Sequence, residues 1–116
     1  MSLPQEVVQA QTKLIQLNQR HEDVKEKINV REFEENRAKL TLRELDSLPE
    51  NRLTYKRVGT MFLLTPCPAL KQELTATIEK SDKELTALRT QQKHLEAQVK
   101  EAQKTLQEMM FLQMQS

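Results

Sequence analysis

The sequence predicts a mainly α fold: a long antiparallel two-helix coiled coil with one central β-hairpin. Two arms that repeat apolar residues in heptads flank the only glycine, Gly59, which lies near the middle of the 116 residues. The four prolines stand only where an arm begins or ends. Residues that break helices are therefore confined to the start of the chain and to one short middle segment, and we expect a single unit over 1–116.

The first arm is predicted as a helix over 3–48, with apolar residues at ten of thirteen positions in a strict 4-3 spacing. A repeat of about 3.5 residues, kept over about six heptads, is typical of a coiled-coil seam, which is narrower than the apolar face of a globular helix. Pro49 disfavours helix in the residue before it, so the arm ends by Leu48. The thirteen positions are Leu3, Val7, Ala10, Leu14, Leu17, His21, Val24, Ile28, Arg31, Glu35, Ala38, Leu42 and Leu45.

The second arm is predicted as a helix over 67–115 and has nine apolar residues at thirteen positions of the same spacing. Pro68 suits the first turn, because the first N–H groups of a helix have no intrahelical acceptor. If the chain folds back on itself, facing seam positions have numbers that sum to about 116, so the arms match in length. The positions are Lys71, Leu74, Ile78, Ser81, Leu85, Leu88, Gln92, Leu95, Val99, Ala102, Leu106, Met109 and Gln113.

Polar residues interrupt the seam near its middle, where Arg31 and Glu35 face Leu85 and Ser81 in the antiparallel arrangement. A single polar layer in a long seam fixes the register of the helices at some cost in stability. A contact point for another subunit is the alternative interpretation. Five further apolar residues lie outside the seam, where isolated exposed apolar side chains are common: Ile15, Val30, Phe33, Leu40 and Leu70.

The middle segment, 53–65, is predicted to form two short strands at 53–58 and 60–65, because it is rich in Tyr, Val, Thr and Phe. Gly59 provides the positive φ or the close backbone approach that the bend needs. A two-stranded sheet alone is marginal in water, and its free edges favour pairing with another chain. We therefore predict a subunit interface at Leu53, Tyr55, Val58, Gly59, Met61, Phe62, Leu63 and Leu64.

The opposite end of the two arms carries a dense apolar cluster. Five of the six residues in 109–114 are apolar, which exceeds the two apolar residues per heptad that a seam requires. Methionine suits surfaces that accept apolar groups of many shapes. We predict contact with other proteins here, against the alternatives of a frayed helix end and of a membrane-surface anchor, for which a basic polar face is missing. The cluster consists of Leu3, Val7, Val8, Met109, Met110, Phe111, Leu112 and Met114.

Charge and composition exclude several other classes of protein. The net charge is +1, and only Arg52, Lys56 and Arg57 concentrate positive charge, so we expect no nucleic-acid partner. No apolar run approaches the length of a membrane span, and the first residues do not resemble a signal peptide. The single Cys67 excludes an internal disulfide and favours a reducing compartment. We expect a cytoplasmic protein, with the nucleus as a further location.

Residues suited to catalysis are few and scattered. His21 lies in the seam, and His94 has no Cys or second His at ligand spacing. Cys67 has no His nearby on the same element. A chain with one glycine cannot build a Gly-rich phosphate loop. We therefore expect no enzyme activity, no metal and no cofactor.

The hairpin segment carries a resemblance to a known family. A long helix, a hairpin of the form Tyr-Lys-x-Val-Gly-x-x-Phe-x-Leu and a second long helix are similar to prefoldin subunits. One hairpin between the arms resembles the β type, and 59–62 together with 95–102 and 106–110 resemble a eukaryotic branch of the family. The run Pro66-Cys67-Pro68 departs from the polar helix start that is usual there. The motif itself reads Tyr55-Lys56-Arg57-Val58-Gly59-Thr60-Met61-Phe62-Leu63-Leu64.

The resemblance implies one subunit of a hetero-hexameric, ATP-independent co-chaperone. Its two α-type and four β-type subunits join through their hairpins, and the far ends of the coiled coils hold unfolded actin, tubulin and other clients. These clients pass to the cytosolic group II chaperonin. On this view the cluster around 109–114 is the client-binding tip. The alternative function is a coiled-coil scaffold or tether whose hairpin is only a connector.

Overall fold

The computed structural model describes residues 4–115 and has the element order helix, strand, strand, helix. The chain divides into two compact units, of which one holds the described residues up to Ile28 and from Ala87 onward, and the other holds Asn29–Thr86. The elements are helix α1 (Gln5–Asp46), strand β1 (Tyr55–Val58), strand β2 (Met61–Leu64) and helix α2 (Cys67–Gln115).

A proline stands immediately before each helix and provides the first carbonyl acceptor. The Pro4 carbonyl accepts a hydrogen bond from the Val8 N–H at 3.2 Å, and the Pro66 carbonyl accepts one from the Leu70 N–H at 3.2 Å. Pro68 is then the second residue of α2. Since the first N–H groups of a helix have no intrahelical acceptor, these prolines remove no helical hydrogen bond.

Helix α1 ends at Asp46, two residues before the predicted limit. The chain leaves the helix through a turn, in which the N–H of Ser47 donates to the Glu44 carbonyl and the N–H of Leu48 to the Leu45 carbonyl, both at 3.2 Å. These bonds close over three residues, so they are tighter than α-helical ones. Pro49 follows directly and stops the helix from continuing.

In the first unit, segments of α1 and α2 pack with antiparallel order. The Nε2 atom of His21 lies 3.3 Å from Glu96 Oε1, and Ala10 and Leu17 line a groove with Gln98 and Thr105. Residue numbers therefore rise on one helix as they fall on the other. The buried side chains of this unit all occupy predicted seam positions: Val7, Leu17, Val24, Ile28, Leu95 and Ala102.

The second unit repeats this packing. Arg31 Nε lies 2.6 Å from Glu84 Oε2, and Lys71 Nζ lies 3.1 Å from Asp46 Oδ1, again with antiparallel order. Its buried seam residues are Glu35, Ala38, Ser81 and Leu85. Among the described seam positions of each unit, Gln113 alone is exposed. The burial pattern thus follows the 3.5-residue repeat of the sequence.

The strands are shorter than the predicted 53–58 and 60–65. Pairing beyond them continues through Thr54 and Thr65, where the Thr65 N–H donates to the Thr54 carbonyl at 2.9 Å. In return the Thr54 hydroxyl donates to the Thr65 carbonyl. The side chain thus provides a hydrogen bond at the end of the ladder, and Thr54 is buried there. Over 4–115, neither helix has an apolar stretch long enough to cross a membrane.

Candidate functional site

The hairpin turns through two residues. Val58 pairs with Met61, so Gly59 and Thr60 form the connection. Gly59 has φ of 61° and no other described residue has a positive φ, which is the sign pattern of a type II′ turn with glycine at its first central position. The right-handed twist of this turn matches that of the strands. The positive φ expected for Gly59 is therefore present.

Strand β2 presents apolar side chains to both faces of the hairpin, and the residues of both strands are exposed. Tyr55 and Leu64 share one face with Phe62, and Val58 and Met61 share the other with Leu63, because side chains alternate along a strand. All eight strand residues are exposed, and every residue of β2 is apolar. Strands that are apolar on both faces are normally buried on both faces. This pattern predicts that further chains cover the hairpin.

The edges of this sheet are also open within the part of the chain that the structure describes. The sheet has two strands, so β1 and β2 each pair along one edge and leave the backbone groups of the other edge without a strand partner. An open edge accepts an additional strand through main-chain hydrogen bonds. The predicted interface residues Leu53, Tyr55, Val58, Met61, Phe62, Leu63 and Leu64 are all exposed there.

An ion pair holds the hairpin beside helix α2. Lys56 Nζ lies 2.9 Å from Glu73 Oε2, and a groove between the elements is lined by Tyr55, Leu45, Leu70 and Leu74 among others. The sequence places Lys56 in a basic turn and in the hairpin motif, but it does not predict this contact. Glu73, about two turns into the second arm, was the signal available in the sequence. A single sequence does not show that Glu73 contacts Lys56.

The predicted apolar cluster divides into a buried and an exposed part. Val7 is 2% exposed and Met109 is half-buried, so both belong to the seam. Leu3 lies outside the described residues. The other members are exposed on the described part of the first unit, Phe111 to 60% and Met114 to 85%, and they are Val8, Met110, Phe111, Leu112 and Met114.

The polar layer of the seam forms a small charged network in the second unit. Arg31 Nη1 lies 3.0 Å from Glu34 Oε2, in addition to the contact with Glu84. Glu35 is buried, and its Oε1 lies 2.7 Å from Lys39 Nζ. The hydrogen bond from Lys39 to Glu35 raises the pKa of the lysine ammonium. Of these ion pairs, Arg31–Glu84 joins the two helices, and both interpretations of the polar layer stay predictions.

The residues that the sequence offers for catalytic or metal-binding chemistry are His21, His94 and Cys67. His21 faces Glu96, and His94 is exposed on α2. Cys67 is buried with a free thiol at the start of α2. Within residues 4–115, the structure contains no group of three or more His, Cys, Asp or Glu side chains placed to hold a metal ion.

A sequence profile of the family described as "Prefoldin subunit" matches residues 8–111. The chain belongs to the prefoldin subunit family. A prefoldin co-chaperone subunit assembles with other prefoldin subunits, and this accounts for a hairpin whose faces and edges are open in a single chain.

Individual prefoldin relatives agree with this assignment. The chain is 32% identical over 97 residues to the probable prefoldin subunit 1 of Dictyostelium discoideum, covering 84% of each chain. It is 33% identical over 103 residues to prefoldin subunit 1 of Arabidopsis thaliana, covering 89% of this chain and 80% of the relative. The predicted resemblance to the prefoldin family is therefore confirmed, and the eukaryotic relatives that match are prefoldin subunit 1 proteins.

The solved structures include a β-type prefoldin subunit with the same fold. The crystal structure of the prefoldin beta subunit from Thermococcus strain KS-1 matches with a TM-score of 0.82 and 30% sequence identity, covering 92% of this chain and 94% of that one. The predicted fold class, two long helices with one central hairpin, is therefore confirmed.

Proposed function

We propose that this prefoldin subunit works in a cytosolic hetero-hexamer that captures non-native proteins, such as actin and tubulin, and delivers them to the group II chaperonin without ATP. The observation that carries this proposal is the exposed apolar end of α2. Three consecutive residues there, Met110, Phe111 and Leu112, are exposed next to Met114. An unfolded protein offers apolar groups of many shapes, and this end offers a surface of matching chemistry.

The heptad register separates this exposed end from the seam. Of the seam positions in this region, Leu106 and Met109 are half-buried and Gln113 is exposed. Met110, Phe111 and Leu112 occupy three successive positions that the seam does not use, so they cover a broad sector of the helix surface. Thioether and aromatic side chains adapt to different apolar partners. The arrangement therefore suits weak binding to many sequences.

The exposed hairpin supports the assembly part of the proposal. A neighbouring subunit that adds a strand to an open edge satisfies backbone groups. Neighbouring subunits that also pack against the two faces cover Phe62 on one and Met61 on the other. Burial of large apolar side chains stabilises such a contact by about 1.5–3 kcal/mol each. We therefore assign Leu53 to Leu64 to the subunit interface.

The capture and assembly roles require no catalytic step from this chain. Among the described residues, no group of three or more His, Cys, Asp or Glu side chains is placed to hold a metal ion. The proposal therefore assigns ATP hydrolysis to the chaperonin that receives the client. A coiled-coil scaffold or tether remains the second candidate, since a coiled coil alone serves that role. It differs by requiring no binding of non-native protein.

The test measures suppression of client aggregation by the reconstituted complex. Denatured actin is diluted into buffer that contains the complex with wild-type chain, with Met110→Glu/Phe111→Glu, or with Ile15→Glu as control. Ile15 is 66% exposed and Phe111 60% exposed, so both changes place a carboxylate on an exposed helix surface. We expect the double variant to lose suppression and the control to keep it, because charge at the tip repels apolar client segments.

Assembly is checked separately by native mass spectrometry of each complex. A double variant that assembles and still suppresses aggregation like the wild type contradicts client binding at this end. A wild-type complex that suppresses no aggregation favours the scaffold function.

A further inference from the structure

Arg57 is the charged residue on the hairpin face that contains Phe62. It is the cross-strand partner of Phe62, and Tyr55 and Leu64 complete this face, because side chains alternate along each strand. All four side chains are exposed, and the three besides Arg57 are large hydrophobic groups. We call Tyr55, Arg57, Phe62 and Leu64 the Phe62 face.

The Arg57 guanidinium uses one of its donors within residues 4–115. Its Nε–H group donates to the Gly59 carbonyl at 3.1 Å, which holds the side chain against the turn. A guanidinium has five N–H donors, so the four that belong to the two Nη atoms have no hydrogen bond or ion pair in this part of the chain. Two Nη groups side by side match the two oxygens of one carboxylate.

The hairpin segment contains no counter-charge for Arg57. Residues 51–66 include no Asp or Glu, and their basic residues are Arg52, Lys56 and Arg57. Lys56 lies on the opposite face, where its Nζ is 2.9 Å from Glu73 Oε2. Glu50 lies in the turn before the segment and forms no ion pair with Arg57 among the described residues. The positive charge on the Phe62 face is therefore not cancelled by this chain.

Covering the Phe62 face takes the guanidinium out of water. Burial of an unpaired charge is costly, whereas a charge that is paired with good geometry is tolerated. The proposed assembly covers this face, because Tyr55, Phe62 and Leu64 are among the apolar side chains that it buries. The neighbour must then provide an acceptor, and a carboxylate gives a stronger hydrogen bond to a guanidinium than a neutral oxygen does.

A second copy of this chain does not supply that carboxylate through its hairpin. An open sheet edge pairs with a strand of another chain, and both strands of a second copy consist of aromatic, basic and apolar residues. Such a sheet also contains two Arg57 side chains, and like charges placed together oppose association. A different subunit with Asp or Glu in its hairpin has neither conflict.

We infer that Arg57 forms a bidentate ion pair with an Asp or Glu residue of a neighbouring prefoldin subunit of another type. This inference rests on the proposed assembly through the hairpin and specifies the chemistry of the neighbour. Arg57 thereby selects the neighbour, because a subunit without the carboxylate leaves a buried guanidinium unpaired.

The first experiment identifies the carboxylate in the whole complex, made by co-expressing the chain with the other prefoldin subunits. Arg57→Lys places a primary amine at this site, and a carbodiimide joins such an amine to a carboxylate in direct contact through an amide bond. Arg43→Lys is the control, since Arg43 is an exposed α1 residue without an ion pair within residues 4–115. We expect mass spectrometry to find position 57 joined to an Asp or Glu of another type of subunit, and position 43 to give no such product.

A second measurement follows subunit exchange between labelled and unlabelled complexes. We expect Arg57→Met to exchange at least about tenfold faster than wild type, because it leaves the carboxylate of the neighbour unpaired, and Arg43→Met to exchange at the wild-type rate. Arg57→Glu, combined with arginine in place of the crosslinked carboxylate, should restore slow exchange. Loss of the hydrogen bond to Gly59 is not repaired by this swap, so rescue separates ion pairing from an effect on the turn.

Three crosslinking outcomes overturn the inference: position 57 is joined only to a second copy, only to its own chain, or to nothing. Exchange of Arg57→Met at the wild-type rate also overturns it. These results leave the proposed assembly intact where Val58→Asp, on the opposite face, still prevents it. Normal assembly of the Val58→Asp variant is the separate result that contradicts the hairpin interface, and the inference then falls with it.

Discussion

At the scale of single residues, Gly59 is the position where backbone geometry depends most on side-chain identity. A Cβ atom built at Gly59 meets no atom within 4 Å, so space does not select glycine. The backbone φ of 61° selects glycine, because a side chain at positive φ approaches the following carbonyl oxygen. The effect of a substitution is therefore conformational and not steric toward other residues.

We predict that Gly59→Ala destabilises the hairpin by about 1 kcal/mol, the usual cost of a left-handed backbone for a residue with a side chain. The strand amides should then exchange their hydrogens about fivefold faster in the isolated chain. Thr60→Ala is the control, since Thr60 lies in the same turn without a positive φ. Equal exchange in both variants would contradict the assigned turn.

At the scale of elements, an ion pair joins the end of α1 to the start of α2. Lys71 in the first turns of α2 contacts Asp46, the last residue of α1. The hydrogen bond to the Asp46 carboxylate raises the pKa of the Lys71 ammonium above its ordinary 10.5. Exposed ion pairs of this kind contribute little to stability by themselves. This one joins the last residue of α1 to the first turns of α2, across the segment that contains the hairpin.

The raised pKa predicts how this contact depends on pH. Because the folded pKa of Lys71 lies above the unfolded value of 10.5, the stabilisation is complete below pH 10.5 and is lost as pH rises through the raised value. We expect the difference in Tm between wild type and Lys71→Met to be constant from about pH 8 to about pH 10 and to shrink above that range. A difference that stays constant to about pH 12 would contradict the assignment.

At the scale of the whole molecule, the proposed assembly and capture roles fall on different segments of the chain. The exposed hairpin lies between the helices in sequence, and the exposed residues Met110 to Met114 lie at the end of α2. We therefore expect substitutions in the two segments to have additive effects, as is usual for distant sites.

We predict that Val58→Asp and Phe62→Asp each prevent assembly while the helices persist. Val58 lies on one face of the hairpin and Phe62 on the other, so the pair tests whether both faces are covered. Native mass spectrometry measures assembly, and circular dichroism measures helix content. Thr60→Asp is the control at the exposed turn, and an assembled complex with either strand variant would show that its face remains open.

The sequence by itself determined the helices, their register and the place of the hairpin. These features are periodic or local: the 3-4 spacing from Val7 to Met109 predicts which side chains are buried, and Gly59 with its flanking strand formers predicts the turn. The composition of β2 also predicts a strand without a polar face, because its four residues are all apolar and alternate between the two faces of the sheet.

Only the tertiary structure decided which side chains meet across the sequence. The pairing of Lys56 with Glu73 and the hydroxyl bond of Thr54 at the end of the strands depend on the path of the connecting segments, which no repeat specifies. The sequence placed Leu70, Phe33 and Leu40 alike outside the seam, and only the structure shows that Leu70 is half-buried while the other two are exposed. Periodicity acts within one helix, whereas exposure depends on everything that packs against it.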